Sequence, residues 1–551
     1  MDRSVRTPVA IVGGGPVGLL LALLLDHHGV DSVVFDTADS VPTEPRGSTH
    51  GARTMEHYRR LGLADRIREL GLPGGHSAGI SFFTRYRGHL LAHLPWPGPD
   101  AARAQVAAAA RTDQVPEPMH RANQMYVERL LLDHARTRPR ITLRYGSRIT
   151  AVRERPGHVA LTEEGRSGGH TWRAAHAVGC DGGHSLVRRS LGISYEGAGS
   201  LDQDVLGRRA TAAHLRVPGL YERFLRGNAA WSNWVFNDEL ALNLIALDGT
   251  DAFFLLTSSV DPDDPSDDAL VDLVRRAAGV PLDVRVLSRR AWTPGAALVA
   301  TRFGAGRIWL AGDAAHLFTP NGGFGMNTGV DDAANLAWKL AASVQGWAGP
   351  GLLPSYEAER RPVALRNTAA ARELNIALGA IERPTALEDD SAEGEAARTE
   401  TAARLAAYGQ LTLDTLGVQL GARYDGSPVV VGDQRPPRDS FTSYAPSGVP
   451  GGRAPHLWLD DRHGPGSSLF DRLGPGFTLL DLCAESLDAS GFEAAAAKSG
   501  IPFSVLRVSE PAARELYGRD LVLVRPDQHI AWRGNRPPAD IVDLLRRVTG
   551  H

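Results

Sequence analysis

Residues 9–18 read Val-Ala-Ile-Val-Gly-Gly-Gly-Pro-Val-Gly, and this stretch decides the architecture of the first domain. The apolar run 9–12 has the make-up of a buried strand. It gives way at Gly13 to a tight turn, then to a helix-length apolar segment ending at His27-His28-Gly29. Gly29, just past the helix, suits a left-handed cap, and a second strand is predicted over 32–36. Within this β-α-β unit the pattern Gly13-x-Gly15-x-x-Gly18 divides its labour. The first glycine permits the turn, the second lets backbone approach a pyrophosphate, and the third lets helix and strand pack closely. Pro16 and Val17 open the helix, where free amides face an anion. Asp36, eighteen residues after Gly18, is placed to accept hydrogen bonds from ribose hydroxyls. The unit predicts a dinucleotide site without saying which dinucleotide.

Outside this unit the bulk properties mainly exclude. A chain of 551 residues has room for two to four domains and a buried cofactor. A formal charge of −3 gives no basic excess, so nucleic acid is not an expected partner. The two cysteines, Cys180 and Cys483, stand in no C-x-x-C spacing, which excludes zinc-ribbon and dithiol motifs, and no metal site is expected. The longest early apolar run, 17–25, is shorter than the roughly 20 residues a membrane helix needs. A glycine cluster precedes it where a signal peptide would carry basic residues. A soluble cytoplasmic protein with no membrane partner is expected.

Further along, residues 80–118 break into aromatic, proline and alanine-rich pieces with no parallel-sheet unit. Strands are predicted over 233–236, 240–247 and 252–256, with turn residues Asn237-Asp238 and Asp248-Gly249 between them, forming an antiparallel substrate-facing sheet. Residues 386–454 read as a helical segment and linker, and 455–551 as a small α/β domain with strands over 477–482 and 521–525. A helix is predicted after Asn327 and through residue 340, opened by a capping-box-like pair, Thr328 and Asp331.

Two later segments identify the dinucleotide. One is V-G-C-D-G-G-H-S-L-V-R-R, with Asp181, Gly182, Ser185 and Arg188. The other is G-R-I-W-L-A-G-D-A-A-H-L-F-T-P-N-G-G-F-G-M-N-T, with Gly312, Asp313, His316, Pro320, Gly322, Gly323, Gly325, Met326 and Asn327. With these fingerprints the sequence resembles the single-component flavoprotein aromatic hydroxylases of para-hydroxybenzoate hydroxylase-like fold. It is most similar to the phenol and polyketide hydroxylases with a C-terminal thioredoxin-like domain. Pro45-Arg46, Arg121-x-x-Gln124-x-x-x-Glu128, Tyr356-Glu357-x-Glu359-Arg360-Arg361-Pro362 and Ala531-Trp532-Arg533-Gly534 extend the likeness over nearly the whole chain.

The resemblance implies an α/β protein. A Rossmann-like FAD-binding domain (1–79, 119–192 and 301–385) is interleaved with an antiparallel-sheet substrate domain (80–118 and 193–300), and a thioredoxin-like domain without C-x-x-C follows (455–551). FAD is expected to bind non-covalently. The expected contacts are Asp313 at the ribityl or pyrophosphate region, Arg46, Arg121 and Gln124 along the cofactor, and the amides of 322–327 at the pyrimidine edge, where they stabilise negative charge on reduction. Pro320 and Gly323 are expected to act through backbone in catalysis. Asp181-Gly182 is associated with pyridine nucleotide use, and Arg188 is expected to be held in an ion pair near the cofactor. NADPH or NADH would dock transiently, since no second glycine fingerprint is present. One atom of dioxygen would be inserted through a flavin C4a-hydroperoxide into a small-molecule aromatic or polyketide substrate.

Trp96, Trp231, Trp234, Phe236, Phe253 and Phe254 are the aromatic candidates for the substrate pocket, with Trp231, Trp234, Phe236 and Phe254 foremost, although aromatic strand residues also serve as core. For His316 a structural role is weighed against a base, with no orienting carboxylate evident in the sequence. The Ala, Arg and Gly bias suggests a GC-rich genome and a tailoring step in antibiotic polyketide assembly. A Baeyer–Villiger reaction on the same fold, a flavin-binding protein without turnover, and an NAD-dependent dehydrogenase are the competing readings. The C-terminal domain is given a packing or dimer-related role, with monomer and homodimer both open.

Overall fold

The computed structural model describes residues 5–109, 115–165, 168–199, 210–225, 227–261, 263, 266–292, 296–460, 466–485 and 487–551; parts of the 80–118 and 193–300 regions lie outside the described residues. The strand Val5–Val12, the helix Pro16–His27 and the strand Ser32–Asp36 form the opening unit, with Gly29 at φ +76° closing the helix. Val5–Val12 pairs in parallel with both Ser32–Asp36 and Gly168–Gly179, and Ile141–Tyr145 and Ile308–Leu310 extend the sheet on either side. The helix is buried along residues 17–25 because the long helix Phe324–Gln345 covers it from outside.

The second sheet has seven strands, in the order Arg285–Trp292, Ala210–Arg216, Ala252–Thr257, Ala241–Ala246, Ser232–Phe236, Ile80–Phe83, Leu90–Leu94. It is not purely antiparallel: Ser232–Phe236 runs parallel to Ile80–Phe83. A strand of four residues, Ile80–Phe83, is too short to show its period, which is why the piece reads as irregular from sequence. Both faces are buried. Val235, Leu244, Phe253 and Leu255 pack with the helix Asp267–Ala278, while Phe82, Trp234, Phe236 and Phe254 pack with Leu378, Leu405 and Tyr408 from two helices, Ser355–Gly379 and Ala392–Leu413.

The long helix starts four residues earlier than its expected cap. Gly323, at φ +68°, is the residue before it, so Thr328 and Asp331 lie inside the helix rather than at its cap. Thr328 instead accepts from Asn367 Nδ2 at 3.1 Å, and Asp331 pairs with His57 at 2.9 Å.

The C-terminal strands Phe503–Arg507, Phe477–Asp481, Leu521–Val524 and Ile530–Gly534 form a mixed four-stranded sheet of thioredoxin-like type, the first pair parallel and the rest antiparallel. Trp338 of the long helix enters this domain's core, 5.8 Å from the Phe477 ring. Buried charges complete the joint. Glu359 accepts both forks of Arg525 (2.6 and 2.9 Å), Lys339 Nζ (2.6 Å), Asn335 Nδ2 (2.7 Å) and Ser427 Oγ (2.6 Å). Among the described residues Gln528 is the non-glycine residue with positive φ, +64°, and that turn lets its side chain accept from Arg53 Nη1 at 2.7 Å across the same joint.

Burial pushes the Glu359 carboxyl up, but Arg525 and Lys339 outweigh it and hold it well below the usual carboxylate range. Its contribution to stability is therefore present above the unfolded value of about 4.3 and is lost as pH falls below it. Glu359→Gln leaves Lys339 without its counter-ion and Arg525 with Asp527 alone, and the expected cost at neutral pH is about 3–5 kcal/mol. Thermal unfolding checks this: the melting temperature should drop sharply at pH 7, with the gap to wild type narrowing below about pH 4.

Candidate cofactor and substrate site

The three glycines of the first motif separate into two kinds. A Cβ on Gly13 would sit 2.2 Å from the Cys180 carbonyl oxygen, and one on Gly18 would sit 2.0 Å from the Gly13 carbonyl oxygen; the protein itself requires both. A Cβ on Gly15 would meet nothing within 4 Å. Gly15 faces an open cavity of about 790 Å³, within the size range of cofactor sites, roughly 300–1,000 Å³.

That cavity collects Gly13, Gly15, Pro16, Val17, Asp36 and Arg46 from the first part of the chain. Gln124, Asp181, Gly182, Asp313 and Met326 join them from four other segments. Two helix N-termini converge on it. The helices Pro16–His27 and Phe324–Gln345 each have a glycine N-cap, no side-chain cap and no acidic residue in the first turn, so their leading amides are left for an anion. The donor set fits a dinucleotide: amides for phosphates, carboxylates for hydroxyls, and the Arg46 side chain on the wall. Asn123 fixes the Arg46 backbone, accepting from its N–H at 3.2 Å and donating to its carbonyl at 2.9 Å.

Several carboxylates serve the scaffold as well as the cavity. Asp36 accepts from Gly14 N (2.7 Å) and Ala38 N (2.8 Å), so it first holds the turn, and only its remaining lone pairs face a ribose. Asp181 accepts from Ser185 Oγ (2.5 Å) and Leu186 N (2.7 Å), and burial raises its pKa. Burial likewise pushes the Asp313 carboxyl up, against nearby His316 and Arg46. Gly312, at φ +61°, turns the chain so that its N–H reaches Asp332 Oδ2 at 3.1 Å.

The structure moves other residues away from this cavity. Arg188 makes no ion pair among the described residues; its Nη1 donates to the Gly183 carbonyl at 2.9 Å and its guanidinium lies 3.8 Å from the Tyr195 ring centroid. The neighbouring Arg189 lines the cavity in its place. Asn327 is fully engaged as a clamp: Oδ1 accepts from Gly51 N (2.8 Å) and Thr54 Oγ1 (2.6 Å), while Nδ2 donates to the carbonyls of Thr49 (2.9 Å) and Gly323 (2.7 Å). Pro320 accepts from Gly323 N at 3.2 Å, and Gly325 packs beside Phe318. Gly322 and Gly323 both hold positive φ, and a Cβ on Gly323 would press on Thr49 at 2.9 Å. His316 has an orienting carboxylate after all: Asp332 Oδ2, 2.5 Å from Nε2, on the long helix. Both are fully buried and Asp332 also binds Arg360 Nε at 2.8 Å, so His316 is a scaffold residue.

A second cavity of about 550 Å³ is walled by Trp96, Pro118, His120, Arg121, Leu416 and Tyr444, among others. Arg121 thus lines this space and not the first. Of the aromatic candidates Trp96 lines it, and the others do not: Phe236 and Phe253 are fully buried core, Trp234 stacks on Phe82, Phe254 packs in the same layer, and Trp231 lies under Arg121. The wall comes instead from the 80–118 piece and from residues 413–444, which the sequence presents as linker. A smaller cavity, sharing Thr415 and Gln419 with this one, runs to Gly322 and Asn327 at the start of the long helix. Sequence reasoning missed Tyr145, whose hydroxyl donates to the Gly14 carbonyl at 2.7 Å, and Arg148; neither carries a local signal. Among the described residues no group of three or more His, Cys, Asp or Glu could hold a metal ion, and no helix is long and apolar enough to cross a membrane.

A family model described as FAD binding domain matches residues 6–371, and one described as aromatic-ring hydroxylase, C-terminal, matches residues 447–551. The chain belongs to this family and is an FAD- and NAD(P)H-dependent monooxygenase. Among individual proteins, it is 33% identical to the FAD-dependent monooxygenase apdD of Emericella nidulans, over 96% of this chain and 87% of that one. RebC soaked with chromopyrrolic acid and holding 7-carboxy-K252c superposes with a TM-score of 0.88 at 36% identity, covering 99% of each chain. Aklavinone-11 hydroxylase in a ternary complex with FAD and aklavinone superposes with a TM-score of 0.81 at 28% identity, covering 100% of each.

The two kinds of glycine give opposite expectations. Gly15→Ala should leave the apoprotein folded, with an unchanged circular dichroism spectrum, yet reduce retained flavin after dialysis by tenfold or more. Gly18→Ala should fail in the apoprotein itself. Wild-type flavin content in Gly15→Ala would remove Gly15 from the site.

Proposed function

We propose that the chain hydroxylates a planar, multi-ring aromatic substrate of polyketide type, in the cytoplasm. One observation carries the reading: a second cavity, of a size for a multi-ring molecule, approaches the glycine turn at the N-terminus of the long helix, while Met326 of that helix's first turn lines the cofactor cavity. The 7-carboxy-K252c held by RebC and the aklavinone held by aklavinone-11 hydroxylase support the substrate class.

When bound, FAD supplies the chemistry of accepting electrons from NADPH or NADH and activating dioxygen. The protein's own part is positioning. The amides of Phe324, Gly325 and Met326 open the long helix without a competing side-chain cap, and their partial positive charge favours an electron-rich neighbour. Asn327 holds that turn against Thr49, Gly51 and Thr54, so the amides need no reorganisation when charge develops. Trp96, Pro118, Met119 and Leu416 supply apolar walls that exclude water from the reacting centre. No side chain is required to be the nucleophile.

The purified protein should be yellow, and a cognate aromatic should raise NADPH oxidation and oxygen uptake without matching peroxide. Under ¹⁸O₂ the product should gain one labelled atom with all its carbonyls retained. A labelled lactone would establish a Baeyer–Villiger reaction instead, and flavin binding without NADPH or NADH oxidation would return the chain to a binding role.

A further inference from the structure

Among the described residues, Arg121 is a buried cation without a counter-ion. It is 6% exposed, and none of the described carboxylates lies within ion-pair distance of it. Its Nη1 donates to Thr49 Oγ1, its Nε is buried without a partner, and its guanidinium carbon lies 3.6 Å from the centroid of the Trp231 ring. Burial alone lowers its pKa to about 9, with no neighbouring charge contributing. Leaving a guanidinium in this condition is costly unless something enters to pair with it.

The surroundings show where such a partner would come from. Arg121 lines the second cavity. His120 beside it is held neutral, burial lowering its pKa to about 4, so it neither adds charge nor cancels any. The carboxylate on the cavity wall, Asp414, is half-buried and accepts from Gln410 Nε2 at 2.8 Å rather than from Arg121. Position is also informative. Arg121 pairs with Thr49 in a two-strand ladder, and Thr49 is the residue against which Gly323 packs. An anion on Arg121 is therefore one residue away from the glycine turn.

We propose that Arg121, stacked on Trp231, is the substrate-anion site of the second cavity, and that the substrate carries an ionised carboxylate or phenolate on its planar ring system. This rests on the monooxygenase reading and narrows it: Arg121 grips the oxyanion from the cavity wall beside the turn, and the flat guanidinium, pressed on the indole, presents its fork edge-on. Trp231 then contributes to the site by fixing Arg121.

The holoenzyme tests this through titration of the flavin absorption spectrum with anthraquinone-2-carboxylate and with its methyl ester. Wild type should bind the acid at least tenfold more tightly than the ester. Arg121→Gln should lose that preference and keep its flavin, and Arg121→Lys should keep part of the preference. Running 2-hydroxyanthraquinone, ionised and as its methyl ether, separates a phenolate site from a carboxylate site, either of which supports the proposal. Equal binding of ionised and neutral probes by wild type overturns it without need of a variant, as does an Arg121→Gln protein that keeps the preference or that loses flavin instead. NADPH oxidation by wild type, followed in parallel, shows whether the monooxygenase reading stands when the anion site does not.

Discussion

Asp332 is the group on which the arrangement of this protein turns. It lies on the long helix, wholly buried, and gathers the Gly312 amide, the His316 ring and the Arg360 guanidinium around one carboxylate. Burial alone would drive such a group neutral, but His316 and Arg360 hold its pKa below the ordinary value. The consequence is geometric. The Gly312-Asp313 turn, which lines the cofactor cavity, is tied to the same helix whose first turn lines that cavity, and through Arg360 to the helix Ser355–Gly379.

The same helix continues the theme outward. Asp331 takes His57 and approaches Arg53; one turn on, Asn335 and then Lys339 meet Glu359, which holds Arg525 of the C-terminal domain. Each buried charge is costly alone and tolerable only because its partners are complete. A domain lacking C-x-x-C thus has a structural reason to be present: it supplies Arg525, Asp527 and the strained Gln528 turn to a network that begins beside the cofactor cavity. Burial pushes the Cys483 thiol up to about 11, so it contributes packing rather than thiolate chemistry.

Much of this was legible in the sequence where the signal is local. The opening β-α-β unit, the strands around Trp234 and Phe254, and two of the four C-terminal strands show in runs of four to eight residues, and those elements appear with bounds shifted by a residue or so, except that the first strand begins at Val5, four residues before its predicted start. Relations between distant segments were not legible. The pairing of His316 with Asp332 crosses from a strand to a helix. The parallel pairing of Ile80–Phe83 with Ser232–Phe236 joins pieces far apart in the chain. The start of the long helix misled for a different reason: Thr328 and Asp331 satisfy the spacing of a capping pair, but a glycine at positive φ lets the chain enter helix earlier than any side-chain cap would.

The two cavities solve opposite electrostatic problems. The first receives a cofactor already carrying negative phosphates, and it answers with amides at two helix starts and with the guanidinium groups of Arg46, Arg148 and Arg189 on its wall, while its nearby carboxylates, Asp36 and Asp181, are occupied in holding turns. The second carries a guanidinium on an indole with no resident anion to pair it among the described residues. Many donors spread over several segments suit a ligand that is retained, because no single contact decides its binding. A free cation in an apolar space suits a ligand that must enter, be oriented once and leave, because a single strong contact sets the register of an otherwise featureless flat molecule. Between the two stands a turn in which Gly322 and Gly323 hold backbone that side chains would crowd, and the four hydrogen bonds of Asn327 keep that turn from yielding to either ligand.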